Sequence, residues 1–450
     1  MNEFITLKHG LPYFSVTKES VTVKGAKGVD NLVTRGFTTS PVVMSCPECG
    51  AKAYRHGTFS KRLWDLPVLG RRHLIIVSGK RYRCTKCHHT WRQRISFADP
   101  GHKFTLRLGR RMQTRLNLGE TLTSVSRDFG IHPGVLFNMD RKYLMDRYGS
   151  YRPRPAEHIG IDEFLLHDGH RYATIVTDLD TGNVIFIEEG KRKQQAEDFF
   201  HFVGPEWMRR VKAVSMDMNA QYDSAFREHW PHITIVYDYF HIIKLFNDTV
   251  LTRIRRRLQN EARENGDGER YRVLKGGRFI LLSSRQRLRE KDRYAHENNR
   301  ELLDNYEKHG LSLPPGRRRM FAGRSDKLKD MLALNRDLNV AYFLLEQLKS
   351  SYEVSDMDKM KEGFRLWLKL AGQSSCREVL VFRDTIVKHL DGILSHARYS
   401  LNSGKVEGTN NMVKTLKKKS YGFKDSKYFF MKILIASRLP AYEYKSNRLL

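Results

Sequence analysis

The stretch at 159–190, IGIDEFLLHDGHRYATIVTDLDTGNVIFIEEG, contains three short runs rich in Ile, Val, Phe and Tyr. β-Branched and aromatic side chains suit a pleated, half-buried surface, and the glycines between the runs suit hairpin turns, so the stretch predicts three successive strands. Beyond it, QQAEDFFHFV predicts a helix, VKAVSMDM a strand, AQYDSAFREHW a helix and ITIVYDYF a strand. The order β-β-β-α-β-α-β predicts a mixed five-stranded sheet with helices on its faces.

That order is the ribonuclease H-like one, in which the first and fourth strands are neighbours. Asp162 lies on the first and Asp217 on the fourth, so two carboxylates far apart in sequence can meet. An Asp within an apolar strand is costly to bury unpaired, by several kcal/mol. A third acid, Glu407, opens the predicted helix NSGKVEGTNNMVKTLKKK; Val406, Val413 and Leu416 can face the sheet, with Glu407, Asn410, Asn411 and Lys414 on the other side. The remainder of the chain is basic, with 80 Lys+Arg against 50 Asp+Glu and a formal charge of +30. An acidic cluster in that setting implies a neutralising divalent cation, and the cationic surface implies a polyanion, most simply nucleic acid.

At 450 residues and 40% hydrophobic, the chain predicts two to four domains. No stretch approaches about 18 uninterrupted apolar residues, and MNEFITLKHG lacks a signal-peptide pattern, which predicts a soluble cytoplasmic protein with no membrane partner. Cys46 and Cys49 in CPECG, with Cys84 and Cys87 in CTKCHH, predict a zinc ribbon over 41–100 holding one structural Zn²⁺ in place of a core too small to stand alone. Cys376 reads as a small buried apolar residue. Residues 101–150 predict helices, with Phe104, Leu108, Met112 and Leu116 on one face and a glycine turn at Gly130. They read as a helix-turn-helix that binds DNA, or as a plain helical hairpin with a solvated basic face. SYRPRPAEH reads as a linker, 151–244 as the first part of the catalytic core, 245–400 as an all-helical insertion and 401–450 as the last part of the core with the Glu407 helix. Within the insertion Tyr342 and Trp367 read as core residues, and no role is assigned to 1–40.

CPECG, RLWDLPVLGRR and RYRCTKC, then GIDE at 160–163, SMDMNAQY at 215–222, DYFHIIK at 238–244 and KVEGTNNMVKTLKKKSYGF at 405–423, follow one another in an order that resembles the ISL-three family of bacterial insertion-sequence transposases. The spaced Asn335, Leu338, Ala341 and Tyr342, with Trp367, are similar to that family's insertion. The resemblance implies a DDE recombinase in which Asp162, Asp217 and Glu407 hold two Mg²⁺ ions. It further implies a bacterial, nucleoid-associated enzyme that binds terminal inverted repeats and target DNA, as a homodimer or higher oligomer on DNA.

The chemistry agrees with those residue types. Cutting DNA and joining its 3′-hydroxyl to another strand are in-line displacements at phosphorus that two Mg²⁺ or Mn²⁺ ions can serve, and carboxylates are the hard oxygen ligands such ions prefer. Asp238 and His241 are auxiliary candidates, as a metal-assisting or DNA-contacting pair, or as a hydrogen-bonded pair at a strand-to-helix corner. Lys414, Lys417, Lys418 and Lys419 can grip phosphates or form a solvated basic face. Strand alternation turns Glu163 away from Asp162. Two other functions fit the same motifs: a non-catalytic zinc-containing DNA-binding regulator, and a metal-dependent nuclease without joining activity.

Overall fold

The computed structural model describes residues 10–23, 30–99, 101–167, 169, 171–312, 319–354, 356–399, 404–420 and 422–438. The chain divides into two compact units, Met1–Tyr151 with Thr415–Leu450, and Arg152–Lys414.

In the first unit, strands β1 (Phe14–Val23), β2 (Asp30–Thr38), β3 (Ala53–Val68), β4 (Arg71–Cys84) and β5 (Thr90–Arg92) form one sheet in the order β1-β2-β4-β3, with β5 also on β4. β3 and β4 form a long hairpin whose tip, Leu69-Gly70, has positive φ at both residues, the backbone a tight turn requires. The alternating inner face of the hairpin buries Leu63, Ile75 and Val77 against Leu11, Phe14 and Phe97. Phe14–Val23 and Asp30–Thr38 therefore belong to the same sheet as the β3–β4 hairpin. The physical reason is the edge of β4, whose backbone groups pair with β2 in parallel register from Asn31↔Arg72 to Phe37↔Ser78.

Helices α1 (Leu106–Asn117), α2 (Leu122–Phe129) and α3 (Pro133–Tyr148) follow. Thr105 and Thr121 cap the first two through their hydroxyls, Gly130 ends α2 in the left-handed conformation, and Pro133 opens α3. Three of the four residues of the predicted face, Leu108, Met112 and Leu116, lie on α1 and are buried; Phe104 precedes the Thr105 cap and joins them in a cluster with Val125, Phe129, Ile131 and Leu136. Two polar devices fasten these helices to the hairpin. Arg72 lies 4.0 Å above the Trp64 ring and donates to the carbonyls of Phe129 and Gly130 at 3.4 and 3.1 Å. Buried Asp65 accepts from Thr105 Oγ1 at 2.6 Å and Arg107 Nε at 2.8 Å, with His73 Nδ1 at 3.3 Å.

The helix Ser426–Ala436 returns to this unit and packs Tyr428, Met431 and Ile435 on Leu144 and Tyr148. Its Lys432 is buried, with Nζ 3.1 Å from Asp140 Oδ2 and 2.9 Å from the Leu116 carbonyl; Tyr428 Oη and Gln113 Nε2 also donate to Asp140. Removing one partner of a buried ion pair strands the other charge. Lys432→Ala is thus expected to cost about 3 to 5 kcal/mol, read as a fall in the denaturant midpoint, whereas Lys432→Ala with Asp140→Asn should recover much of it. The residues from Thr415 onward thus group with the N-terminal unit, where the sequence pattern placed all of 401–450 with the core.

In the second unit, β6 (His158–His167), β7 (Arg171–Asp178), β8 (Val184–Glu189), β9 (Ala213–Met216) and β10 (Thr234–Tyr237) form a sheet in the order β10-β9-β6-β7-β8. β6, β9 and β10 are parallel, while β7 runs antiparallel to β6 and β8. Asp178 closes the β7–β8 turn by accepting from the Asp180 and Thr181 amides. Helices α4 (Lys193–Val203), α5 (Ala220–His229) and α6 (Tyr239–Phe246) flank the sheet. Ile159, Ile161, Val214, Met216, Ile235 and Tyr237 share one apolar cluster with Phe199, Phe200, Tyr222 and Phe226.

Between Tyr239 and Arg398 every described element is helical. Tyr342 and Trp367 are buried there, Trp367 Nε1 donating to the Leu344 carbonyl at 2.8 Å, and Cys376 is buried too. This stretch shares its apolar cluster with the sheet. The helix Gly404–Lys419 then closes the unit and crosses the division at Thr415. A Cβ on Gly160 would come within 2.8 Å of Val406 Cγ2, so a larger residue at 160 would have to displace Val406 on this helix. Among the described residues no helix is long and apolar enough to cross a membrane.

Candidate active site

The acidic residues are placed by strand register. In the parallel pair β6–β9, Gly160 stands opposite Ser215, and two residues further along both strands are Asp162 and Asp217. In β9–β10, Met216 stands opposite Tyr237, and the next residues are Asp217 and Asp238, whose amide donates to the Met216 carbonyl at 3.0 Å. Since paired residues share a sheet face, Asp162, Asp217 and Asp238 line one face where β9 and β10 end. The carboxyl ends of parallel strands are where open α/β sheets leave a crevice for ligands.

Each acid is fixed by local donors. Asp162 Oδ1 accepts from the Glu163 amide at 2.8 Å and Oδ2 from Asn410 Nδ2 at 2.6 Å. Asp217 Oδ1 accepts from the Met218 amide at 2.6 Å. Asp238 caps α6 through the Phe240 amide at 2.9 Å, and its Oδ2 lies 3.1 Å from His241 Nδ1. Burial, reinforced by the Asp217 charge, raises the Asp162 pKa although the Glu163 amide, His241 and Asn410 pull it down. Burial lowers His241, yet Asp238, Asp217 and Asp162 outweigh it and leave the imidazole more basic than usual. The structure thus brings Asp162, Asp217, Asp238 and His241 into one electrostatic neighbourhood.

Glu407 occupies the first turn of the closing helix and is exposed. Asn410, one turn further along the same face, makes the contact with Asp162. Asp162, Asp217 and Glu407 do not draw together within 4.8 Å: among the described residues only the cysteine group gathers three or more ligand atoms that closely.

Glu163 is a residue that strand alternation alone set aside. Its register partner is Thr174, whose hydroxyl meets Tyr222 Oη at 2.8 Å on the core side, so it does turn away from Asp162. Burial, with the charges of Asp162 and Asp217, nevertheless pushes its pKa up to about 6, and its Oε2 is buried without a hydrogen-bond partner. Lys414, Lys418 and Lys419 are exposed on the closing helix, and Lys417 is partly covered.

In the first unit, the Sγ atoms of Cys46, Cys49, Cys84 and Cys87 all lie within 4.8 Å of one another, with pairs at 3.4 and 3.5 Å. Four thiolates around a tetrahedral ion at about 2.3 Å stand roughly 3.8 Å apart, so the cluster fits one such ion. Desolvation opposes ionisation of Cys84, but the Cys87 and Lys86 amides aimed at its sulfur, at 3.4 and 3.2 Å, bring its pKa down to about 6.

Residues 159–433 match a transposase family of the ISL3 type, and the chain belongs to that family. It is 30% identical over 395 residues to the transposase for insertion sequence element IS1001 of Bordetella parapertussis, covering 88% of this chain and 89% of that protein. It is also 24% identical over 304 residues to the transposase for insertion sequence element IS1557 of Mycobacterium tuberculosis, covering 63% of this chain and 60% of the relative.

Proposed function

We propose that the protein binds the terminal inverted repeats of its own insertion sequence and catalyses their cleavage and transfer to target DNA, with Asp162, Asp217 and Glu407 as the DDE triad. The observation that carries this reading is the Gly160–Ser215 register of the parallel strands β6 and β9, with Asp162 and Asp217 each two residues further on, and a helix with Glu407 in its first turn whose Asn410 donates to Asp162. The sheet order, third-second-first-fourth-fifth in chain sequence, supports a ribonuclease H-like core over 151–244, completed by the closing helix up to Lys414, with the insertion at 245–400.

The hard oxygens of the three acids suit Mg²⁺ or Mn²⁺. Two such ions, when bound, would activate the attacking oxygen and stabilise the leaving oxygen of an in-line displacement. The chain's own contribution is to hold the acids at strand ends, to keep Asp162 oriented through two hydrogen bonds, and to set His241 against Asp238 at the rim as an auxiliary pair. The four cysteines are assigned to one structural Zn²⁺ and the helices of 101–150 to a DNA-binding helix-turn-helix; the tight Gly130 turn and the Pro133 start support the latter. Two DNA ends must be handled, which favours a homodimer or higher oligomer on DNA in the bacterial nucleoid.

The test is incubation of the purified chain with terminal-repeat DNA, a target plasmid and Mg²⁺. Joined product is expected; cleavage without joining would reduce the activity to that of a nuclease, and binding without either would make the protein a regulator. The basic end of the closing helix is read separately. Substituting Lys414, Lys417, Lys418 and Lys419 together by Ala should weaken DNA binding, and should flatten the slope of log K against log salt by about 0.9 for each phosphate that these lysines neutralise in the native chain. An unchanged slope would return these lysines to a solvated face.

A further inference from the structure

Asp162 accepts one hydrogen bond from its own strand and one from Asn410, 248 residues away along the chain. Carboxylate oxygens only accept, so the amide must present Nδ2 to Asp162, and this fixes which way Asn410 faces. In that orientation Asn410 Oδ1 is buried with no hydrogen-bond partner among the described residues. Burying an acceptor unsatisfied is costly, and native structures keep such atoms few. The placement is not slack either, because Val406, one turn earlier, packs against Gly160 on β6, where an added Cβ would meet it at 2.8 Å.

We propose that Asn410 is a positioning residue with two duties: Nδ2 holds Asp162 in its working orientation, and Oδ1 accepts from water carried by the divalent cation at Asp162. The proposal rests on the metal-site reading above and deepens it. DNA phosphates offer no donor to Oδ1, whereas water on a divalent cation does. Groups that orient a metal ligand typically change metal affinity by about 10- to 100-fold when removed. Asn410→Ala should therefore weaken Mn²⁺ binding to the full chain by about that factor, and raise by a similar factor the Mg²⁺ concentration for half-maximal strand cleavage.

Asn410→Asp supplies a second, independent readout. It keeps an acceptor but sets a carboxylate against Asp162, so the melting temperature without metal should fall below that of the native chain. Adding Mn²⁺ should then raise it by more than it raises the native protein. The probe is Mn²⁺ alone, followed by the electron paramagnetic resonance signal of free ion and by thermal melting, with Asp162→Ala as reference. Both Asn410 variants binding Mn²⁺ as the native chain does, while Asp162→Ala does not, would overturn the role of Asn410 and leave the metal site standing. Equal loss of melting temperature with and without Mn²⁺ would overturn it as well, reducing Asn410 to a packing residue. Undiminished Mn²⁺ binding by Asp162→Ala would overturn the metal-site reading and this inference with it.

Discussion

Asp162→Ala, Asp217→Ala and Glu407→Ala are each expected to lower cleavage and joining of terminal-repeat DNA by at least about a thousandfold, with DNA binding retained. Metal stabilisation of developing charge supplies several kcal/mol to such reactions, and every 1.36 kcal/mol is a factor of ten. Binding depends on the basic surface, with its 80 Lys+Arg in the whole chain, so it should survive. Stability moves in a different direction from activity. Asp162 is buried next to the Asp217 charge, and burial already raises its pKa, so removing either acid relieves repulsion and should leave the melting temperature unchanged or higher. Glu407 is exposed, and its loss should be neutral for folding. An inactive variant that is also unfolded would say nothing about catalysis, so melting curves belong beside the assays. Full strand transfer by any one of the three variants would remove that residue from the triad, and Asp238 on the neighbouring strand end would be the next acid to substitute.

The five strands of the second unit were legible because each is a short run with β-branched residues bounded by glycine or polar turns, and backbone pairing follows from that pattern. The buried face of α1 was equally legible from its period. β1 and β2 were not read, since in FSVTKESVTV polar and charged residues interrupt the apolar ones and the signal is weak without its partner strand. Nor could the sequence show that Thr415 onward leaves the core, because that depends on the buried Asp140–Lys432 pair, whose partners lie 292 residues apart. At the site, positions were legible and side-chain directions were not. Register puts Asp162 and Asp217 side by side, but which oxygen each turns outward is set by single backbone amides and by Asn410. Glu163 illustrates the limit of alternation: it turns to the other face, yet the charges of Asp162 and Asp217 still act on it.

Metal removal should have the second large effect, and the structure narrows where. If Cys46, Cys49, Cys84 and Cys87 hold one Zn²⁺, the purified chain should contain about one zinc, and Cys84→Ser should lose it. Zinc binding at such sites contributes about 10 to 16 kcal/mol, as much as the whole stability of an ordinary domain, so segments that depend on it do not stay folded without it. The sequence reads 41–100 as a ribbon whose core is too small to stand without the ion. The strands, however, carry their own core at Leu63, Ile75 and Val77, and Asp65 is tied to Thr105 and Arg107. The knuckles have no such support: the turn at Cys46 is held by the Gly50 amide on the Cys46 carbonyl, and Cys49 and Cys87 are exposed. Chelation should therefore strip hydrogen-exchange protection from the amides of Cys46, Gly50, Ala53 and Cys84 while leaving the middle of β4, around Ile75 and Val77, protected. Loss of protection along the whole hairpin would show that the apolar core cannot stand without the metal, and unchanged zinc in Cys84→Ser would show that these four cysteines are not its ligands.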